Sequence, residues 1–145
     1  DYTVHDLRQS VERRFSGPGG SRPLMVTIVT FGYKYGIPYE LDLLFDVRFL
    51  PNPHFVEELR PLTGLQPPVS DFVMGKQESG EFIEKLIDFL AYLLPRYRSE
   101  GKSYLNVGFG CTGGRHRSVA ISLVVAERLR KLGFDVNLKH RDVGT

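Results

Sequence analysis

The run Gly110-Cys111-Thr112-Gly113-Gly114-Arg115-His116-Arg117-Ser118 concentrates more chemistry than any other stretch of the chain. It follows an apolar segment at 104–109 that reads as a strand, and opens an amphipathic segment at 118–132 that reads as a helix. A glycine turn between strand and helix aims consecutive backbone N–H groups at one point, where the helix N-terminus adds about half a positive charge. Gly113 and Gly114 would admit an anion where a Cβ would push it away. Arg115 and Arg117 can add bidentate, charge-assisted hydrogen bonds, and Thr112, His116 and Ser118 supply further donors. The expected chemistry is capture of a phosphate. Glycine turns of this kind are often purely structural, but the arginines, histidine and hydroxyls packed into this one count against that reading.

Cys111, five residues, then Arg117 and Ser118 is also the spacing of the tyrosine-phosphatase nucleophile loop. In that reading the thiolate of Cys111 attacks phosphorus, a species favoured at helix N-termini beside arginines. Arg117 would bind the equatorial oxygens and Ser118 would help the thiolate leave, with Asp46 or Asp71 as general acid. Against it, Gly110 stands where such phosphatases usually carry histidine. A free cysteine is also more often a small buried hydrophobe than a nucleophile. Binding without hydrolysis is the expectation, and Cys111 stays a candidate functional thiol.

These groups need a scaffold that brings them to one edge. Residues 24–30, 43–49, 104–109 and 134–139 read as strands, and 80–98 and 118–132 as helices, with two helical turns at 54–60 and a loop at 62–69. Buried strands alternating with helices predict an α/β domain with a mostly parallel sheet flanked by helices. Ligands of such sheets sit beyond the carboxyl ends of the strands. That edge adds Thr30, Gly32, Tyr33 and Lys34 to the site, and Asp46, Arg48 and His54. Asp46 and Arg48 fall on one face of the second strand, where they could pair with each other or take the sugar and phosphate sides of a ligand.

The totals narrow the choices. A chain of 145 residues, 41% hydrophobic and 25% charged, suits one globular core, and a net charge of +2 is a mild basic bias. One cysteine excludes an internal disulfide framework, so a reducing cytoplasm is expected. The four histidines (His5, His54, His116 and His140) show no paired metal-ligand spacing, and the chain has no GxxxxGK[ST] phosphate loop. No run is long and apolar enough to span a membrane. Residues 1–15 read as a short helix and 16–23, rich in Gly, Pro and Ser, as a flexible linker, so the domain is expected over 24–145. A start at Asp1 rather than Met reads as a piece of something longer.

Four strings carry a resemblance: Thr30-Phe31-Gly32-Tyr33-Lys34-Tyr35-Gly36, the run from Phe45 to His54, Leu59-Arg60-Pro61-Leu62-Thr63-Gly64, and the glycine turn itself. Together and in this order they resemble the C-terminal domain of the RapZ/YvcJ family, the RNase adapter proteins of bacteria. The likeness runs from about Leu24 to Arg141. It implies a fold similar to a phosphofructokinase subdomain, and a regulator that is not itself an enzyme in this piece. Residues 1–15 would be the tail of a preceding P-loop NTPase domain, to which ATP or GTP would belong, with no cofactor needed here. The implied ligand is glucosamine-6-phosphate. The implied partners are small regulatory RNA and a ribonuclease, in a cytoplasmic homo-oligomer that controls RNA processing and cell-envelope precursor supply. Phosphate contacts would fall to Thr112, Gly113, Gly114, His116, Arg117 and Ser118, with Asp46 and His54 at further positions linked to function. Members that bind small RNAs end in a basic run, whereas this chain has Lys139-His140-Arg141 and then Asp142-Val143-Gly144-Thr145. Tyr33, Lys34 and Tyr35, with Lys139, His140 and Arg141, are the residues left to contact RNA. An oligomerisation module with an incidental anion site is the blandest alternative.

Overall fold

The β-branched and apolar segments pair side by side into one sheet. A computed structural model describes residues 23–145. The helix expected over 1–15, and the linker up to residue 22, lie outside the described residues. The strands are β1 (Met25–Gly32), β2 (Leu43–Asp46), β3 (Tyr104–Cys111) and β4 (Asp135–His140), all parallel in the order β2-β3-β1-β4. The helices are α1 (Pro67–Met74), α2 (Gln77–Ser99) and α3 (Arg117–Lys131). This is a single α/β domain, as the alternation of strand and helix patterns predicts. No helix among the described residues is long and apolar enough to cross a membrane.

Period-two burial in β1 sends Val26 and Ile28 into the core, where they meet Leu105, Val107 and Phe109 of the neighbouring strand region. Helix α3 packs directly on β4, β1 and β3, and α1 and α2 pack on α3 in turn. Ile121, Val125 and Leu129 of α3 are therefore fully buried, a layer between the sheet and the Leu90 and Leu94 stripe of α2. This burial fixes the start of α3 against the sheet edge. Parallel pairing brings Gly32 beside Cys111, Asp46 beside Gly110 and Thr30 beside His140, so the carboxyl ends of all four strands share that edge.

Three elements differ from expectation. Strand β2 stops at Asp46 instead of 49, because the Asp46 carboxylate accepts the Arg48 N–H at 2.9 Å and turns the backbone out of the ladder. In place of two helical turns at 54–60 there is one 3-10 turn, Pro53–Phe55, whose N-cap Asn52 accepts from His54 N–H, followed by irregular turns. The Pro67-Pro68 pair, expected in a loop, begins α1, since the first helical positions have no use for the N–H that proline lacks. Pro95 lies inside α2, which continues past it to Ser99.

Candidate functional site

β3 ends at Cys111 and α3 starts at Arg117, so residues 112–116 form the turn. The turn lies flat on the end of β1. A Cβ on Gly114, which has φ +76°, would come within 2.5 Å of Gly32 N, and a Cβ on Gly32 within 2.4 Å of Gly113 C. Gly114 thus spends its missing side chain on backbone packing. Gly113 has nothing within 4 Å of the same position and faces open space.

The start of α3 inverts the usual electrostatics of a helix. His116 is the N-cap and makes no side-chain capping bond, and the first turn holds no acidic residue. Instead Arg117 is the first helical residue, a cation placed at the positive end of the dipole. The residue is only 5% exposed. Nη1 donates to the carbonyls of Arg48 at 2.6 Å and Leu50 at 3.1 Å, and Nη2 reaches Thr112 Oγ1 at 3.5 Å. Burial pushes this guanidinium below the ordinary arginine value, while the charges of Cys111 and Asp46 act the other way.

In front of this helix end lies a cavity of about 340 Å³ lined by side chains from three places. The turn and helix supply Cys111, Thr112, Gly113, Arg115, His116 and Arg117; the segment after β2 supplies Asn52, His54 and Arg60; Lys34, Tyr35 and Thr145 close the opposite wall. Long-range backbone contacts hold these walls together. Arg115 Nη2 donates to Pro61 O at 3.1 Å, His116 Nε2 donates to Leu62 O at 2.7 Å, and Lys34 N–H donates to Thr112 O at 3.2 Å. Arg115 Nε is buried without a partner. Burial holds the His116 imidazole below its ordinary value, helped by the Arg115 charge and opposed by the Leu62 carbonyl.

Lys34, Arg60, Arg115 and Arg117 therefore surround one space, and none of them stands in an ion pair among the described residues. No carboxylate side chain lines that space among the described residues. Cys111 is 2% exposed; its Sγ lies 3.2 Å from Ser118 Oγ and accepts from Ser118 N–H at 3.5 Å. Ser118 itself sits behind the cavity wall, fully buried.

Other residues drawn to this edge by the sequence are engaged elsewhere. Thr30 is buried with its hydroxyl 2.9 Å from His140 Nδ1. Asp46 and Arg48 pair with each other at 2.7 Å on the surface, with Arg48 beyond the strand end rather than on its face. The Arg48 guanidinium also lies 3.9 Å above the Tyr33 ring. Arg48 hydrogen bonding holds the Asp46 carboxyl below the usual carboxylate range. Asp46 and the exposed Asp71 of α1, the two acids that hydrolysis would call on, are both outside the cavity lining. Arg141 donates to the buried Asp142 carboxylate and to Gly36 O, while Lys139 is exposed on β4. Of the residues offered for RNA contact, Lys34 and Tyr35 line the cavity and the rest do not. Arg60 and Thr145 are lining residues the motif reading missed, and Asn52 lay unsingled within the Asp46–His54 edge run; Arg60 lay in the Leu59–Gly64 string without its charge being used.

Comparison with known proteins gives a consistent picture. The family model for the RapZ C-terminal domain matches residues 24–144. A nucleotide-binding protein of Anaeromyxobacter dehalogenans is 54% identical over 140 residues, covering 97% of this chain and 47% of the relative. Nucleotide-binding proteins of Nitratidesulfovibrio vulgaris and Geobacter sulfurreducens are 48% and 49% identical, over 97% and 98% of this chain and 48% and 50% of their own lengths. The chain spans about half the length of these curated relatives.

Proposed function

The chain belongs to the RapZ C-terminal domain family, and from that premise we propose that it is a regulatory sensor domain that binds a phosphorylated sugar at the start of α3. One observation carries this reading: a helix N-terminus whose N-cap residue makes no capping bond, with Arg117 buried against it, opens into a cavity without a carboxylate side chain among the described residues. An unpaired cation buried at the positive end of a helix is costly on its own. A phosphate there would accept from backbone N–H groups of the turn and from the guanidinium, and turn that cost into affinity. Helix charge contributes on the order of 0.3–2 kcal/mol and each charge-assisted hydrogen bond about 1.5–3 kcal/mol.

Glucosamine-6-phosphate is the first ligand to titrate, since the family resemblance implies it. Occupancy would be passed to a small regulatory RNA or a ribonuclease in a homo-oligomer in the cytoplasm. The half of the relatives that this chain does not span would supply the nucleotide chemistry their names print. Calorimetric titration of the chain with glucosamine-6-phosphate, glucosamine and inorganic phosphate tests the proposal. Saturable binding that needs the phosphate is expected, and binding of none of the three would refute it.

A cysteine-dependent phosphatase is the second reading, favoured by the Sγ contact of Cys111 with Ser118. The exclusion of Asp46 and Asp71 from the lining weighs against it, because the leaving oxygen would find no carboxyl group to protonate it.

A further inference from the structure

Resting on the phosphate reading, we propose that Arg141 and Asp142 are positioning residues of the site. Together they grip both ends of the turn that carries Lys34 and Tyr35 into the cavity, and ligand affinity depends on that grip. Neither residue lines the cavity, so both act through the wall they hold.

The gripped segment is the 3-10 turn Tyr33–Tyr35, which runs on from the end of β1 and contains no buried residue. Apolar burial therefore does little to anchor it, and its ties are polar. At its start, the Asp142 carboxylate accepts the Gly32 N–H at 2.7 Å. At its far end, Arg141 Nη2 donates to Gly36 O at 2.6 Å. The same guanidinium is forked onto Asp142, with Nε at 3.0 and 3.1 Å and Nη2 at 2.7 Å. Arg141 N–H donates to Thr30 O at 3.0 Å, which seats the pair on β1. One ion pair thus spans the turn from Gly32 to Gly36.

The pair also reaches the other parts of the site. Asp142 is buried, and its Cβ lies 3.0 Å from where a Cβ on Gly114 would stand. Its carbonyl accepts from Thr145 N–H at 3.2 Å and Thr145 Oγ1 at 2.7 Å, folding the last residues back so that Thr145 joins the lining. Burial alone would raise the Asp142 carboxyl. Hydrogen bonds from Arg141 and from Gly32 N–H outweigh that and hold it below the usual carboxylate range. A lone carboxylate behind a phosphate site would repel the ligand, whereas the pair with Arg141 carries no net charge. An exposed ion pair contributes little to a fold. This one is buried on its acid side and bonded to backbone at both ends of the turn, which makes it a brace.

The test is titration calorimetry of the 145-residue chain with glucosamine-6-phosphate, in the wild type and in Arg141→Ala, Arg141→Lys and Asp142→Asn. Arg141→Ala and Asp142→Asn should each weaken binding at least fivefold, and Arg141→Lys should recover part of the loss. If the pair acts through the wall, Arg141→Ala made in a Lys34→Ala/Tyr35→Ala background should cost less than twofold. Amide NMR signals of residues 32–36 should also move in ligand-free Asp142→Asn while those of α2 stay in place. Unchanged affinity in Arg141→Ala, or the same loss in both backgrounds, would overturn the inference and leave the phosphate reading standing. Should Arg141→Ala fail to fold, Asp142→Asn is carried through both backgrounds with the same criteria. If the wild type bound no glucosamine-6-phosphate, the phosphate reading would fall and this inference with it.

Discussion

The Nη1 of Arg117 donates to the carbonyl of Arg48 at 2.6 Å, joining the first residue of α3 to the segment that leaves β2. One side chain thereby holds two walls of the cavity while presenting its charge to the space between them. Arg117→Ala should weaken binding of a phosphorylated sugar by at least tenfold, the scale of one charge-assisted hydrogen bond at about 1.5–3 kcal/mol. It should also lower stability, since the carbonyls of Arg48 and Leu50 lose their donor. Arg117→Lys keeps the charge without the fork and should fall between the two. Titration calorimetry and urea unfolding on the three proteins would separate the effects. Unchanged affinity in Arg117→Ala would remove the helix start from the site.

The paired glycines make opposite predictions. Gly114→Ala would drive a Cβ to within 2.5 Å of Gly32 N at a positive φ, and should destabilise the fold by about 1–3 kcal/mol. Gly113→Ala meets nothing within 4 Å and should leave the unfolding midpoint close to wild type, while crowding a ligand at the turn. Equal stability losses in the two variants would contradict this division of labour.

Acid should weaken the fold through two histidines. Burial, seconded by Arg115, lowers His116, and burial lowers His140, relative to the ordinary imidazole value near 6.5. Between that value and their depressed folded values the unfolded chain binds protons that the folded chain refuses. Their contribution is thus present above about pH 6.5 and lost as pH falls through this window. Urea midpoints at pH 7.5 and pH 5.5 should show lower stability at the acid end, with a smaller drop in His116→Gln/His140→Gln. A midpoint that rises on acidification would oppose the assignment.

Cys111→Ser separates the two readings of the turn. The thiol is buried against Ser118, so a hydroxyl of similar shape should keep phosphorylated-sugar affinity within a few-fold. Assayed with p-nitrophenyl phosphate, the wild-type chain should show no turnover that this variant abolishes. Cysteine-dependent turnover would move the site from sensor to enzyme.

Much of the edge was legible because its signals are local. The apolar run before Cys111, the glycine turn and the amphipathic stretch after Arg117 together define β3, the turn and α3. Asp46 shows where local reasoning stops. Alternation placed it and Arg48 on one strand face, but its carboxylate accepts the Arg48 N–H and ends the strand. Pro67 opens a helix that its neighbour Pro68 had disguised as a loop. Asn52 and Arg60 reach the cavity on a segment whose carbonyls at Arg48, Leu50, Pro61 and Leu62 accept from Arg117, Arg115 and His116, more than fifty residues further along the chain. Such contacts leave no periodic trace.

The central claim is that an anion sits on the N–H groups at the start of α3. Amide chemical shifts of isotope-labelled chain, followed by NMR during titration with glucose 6-phosphate, address it most directly. Large, saturable shifts centred on residues 112–119, with smaller ones at the other cavity walls, and lost in Arg117→Ala, are the predicted result. Shifts scattered over the surface, or a turn that does not respond while other residues do, would contradict the account.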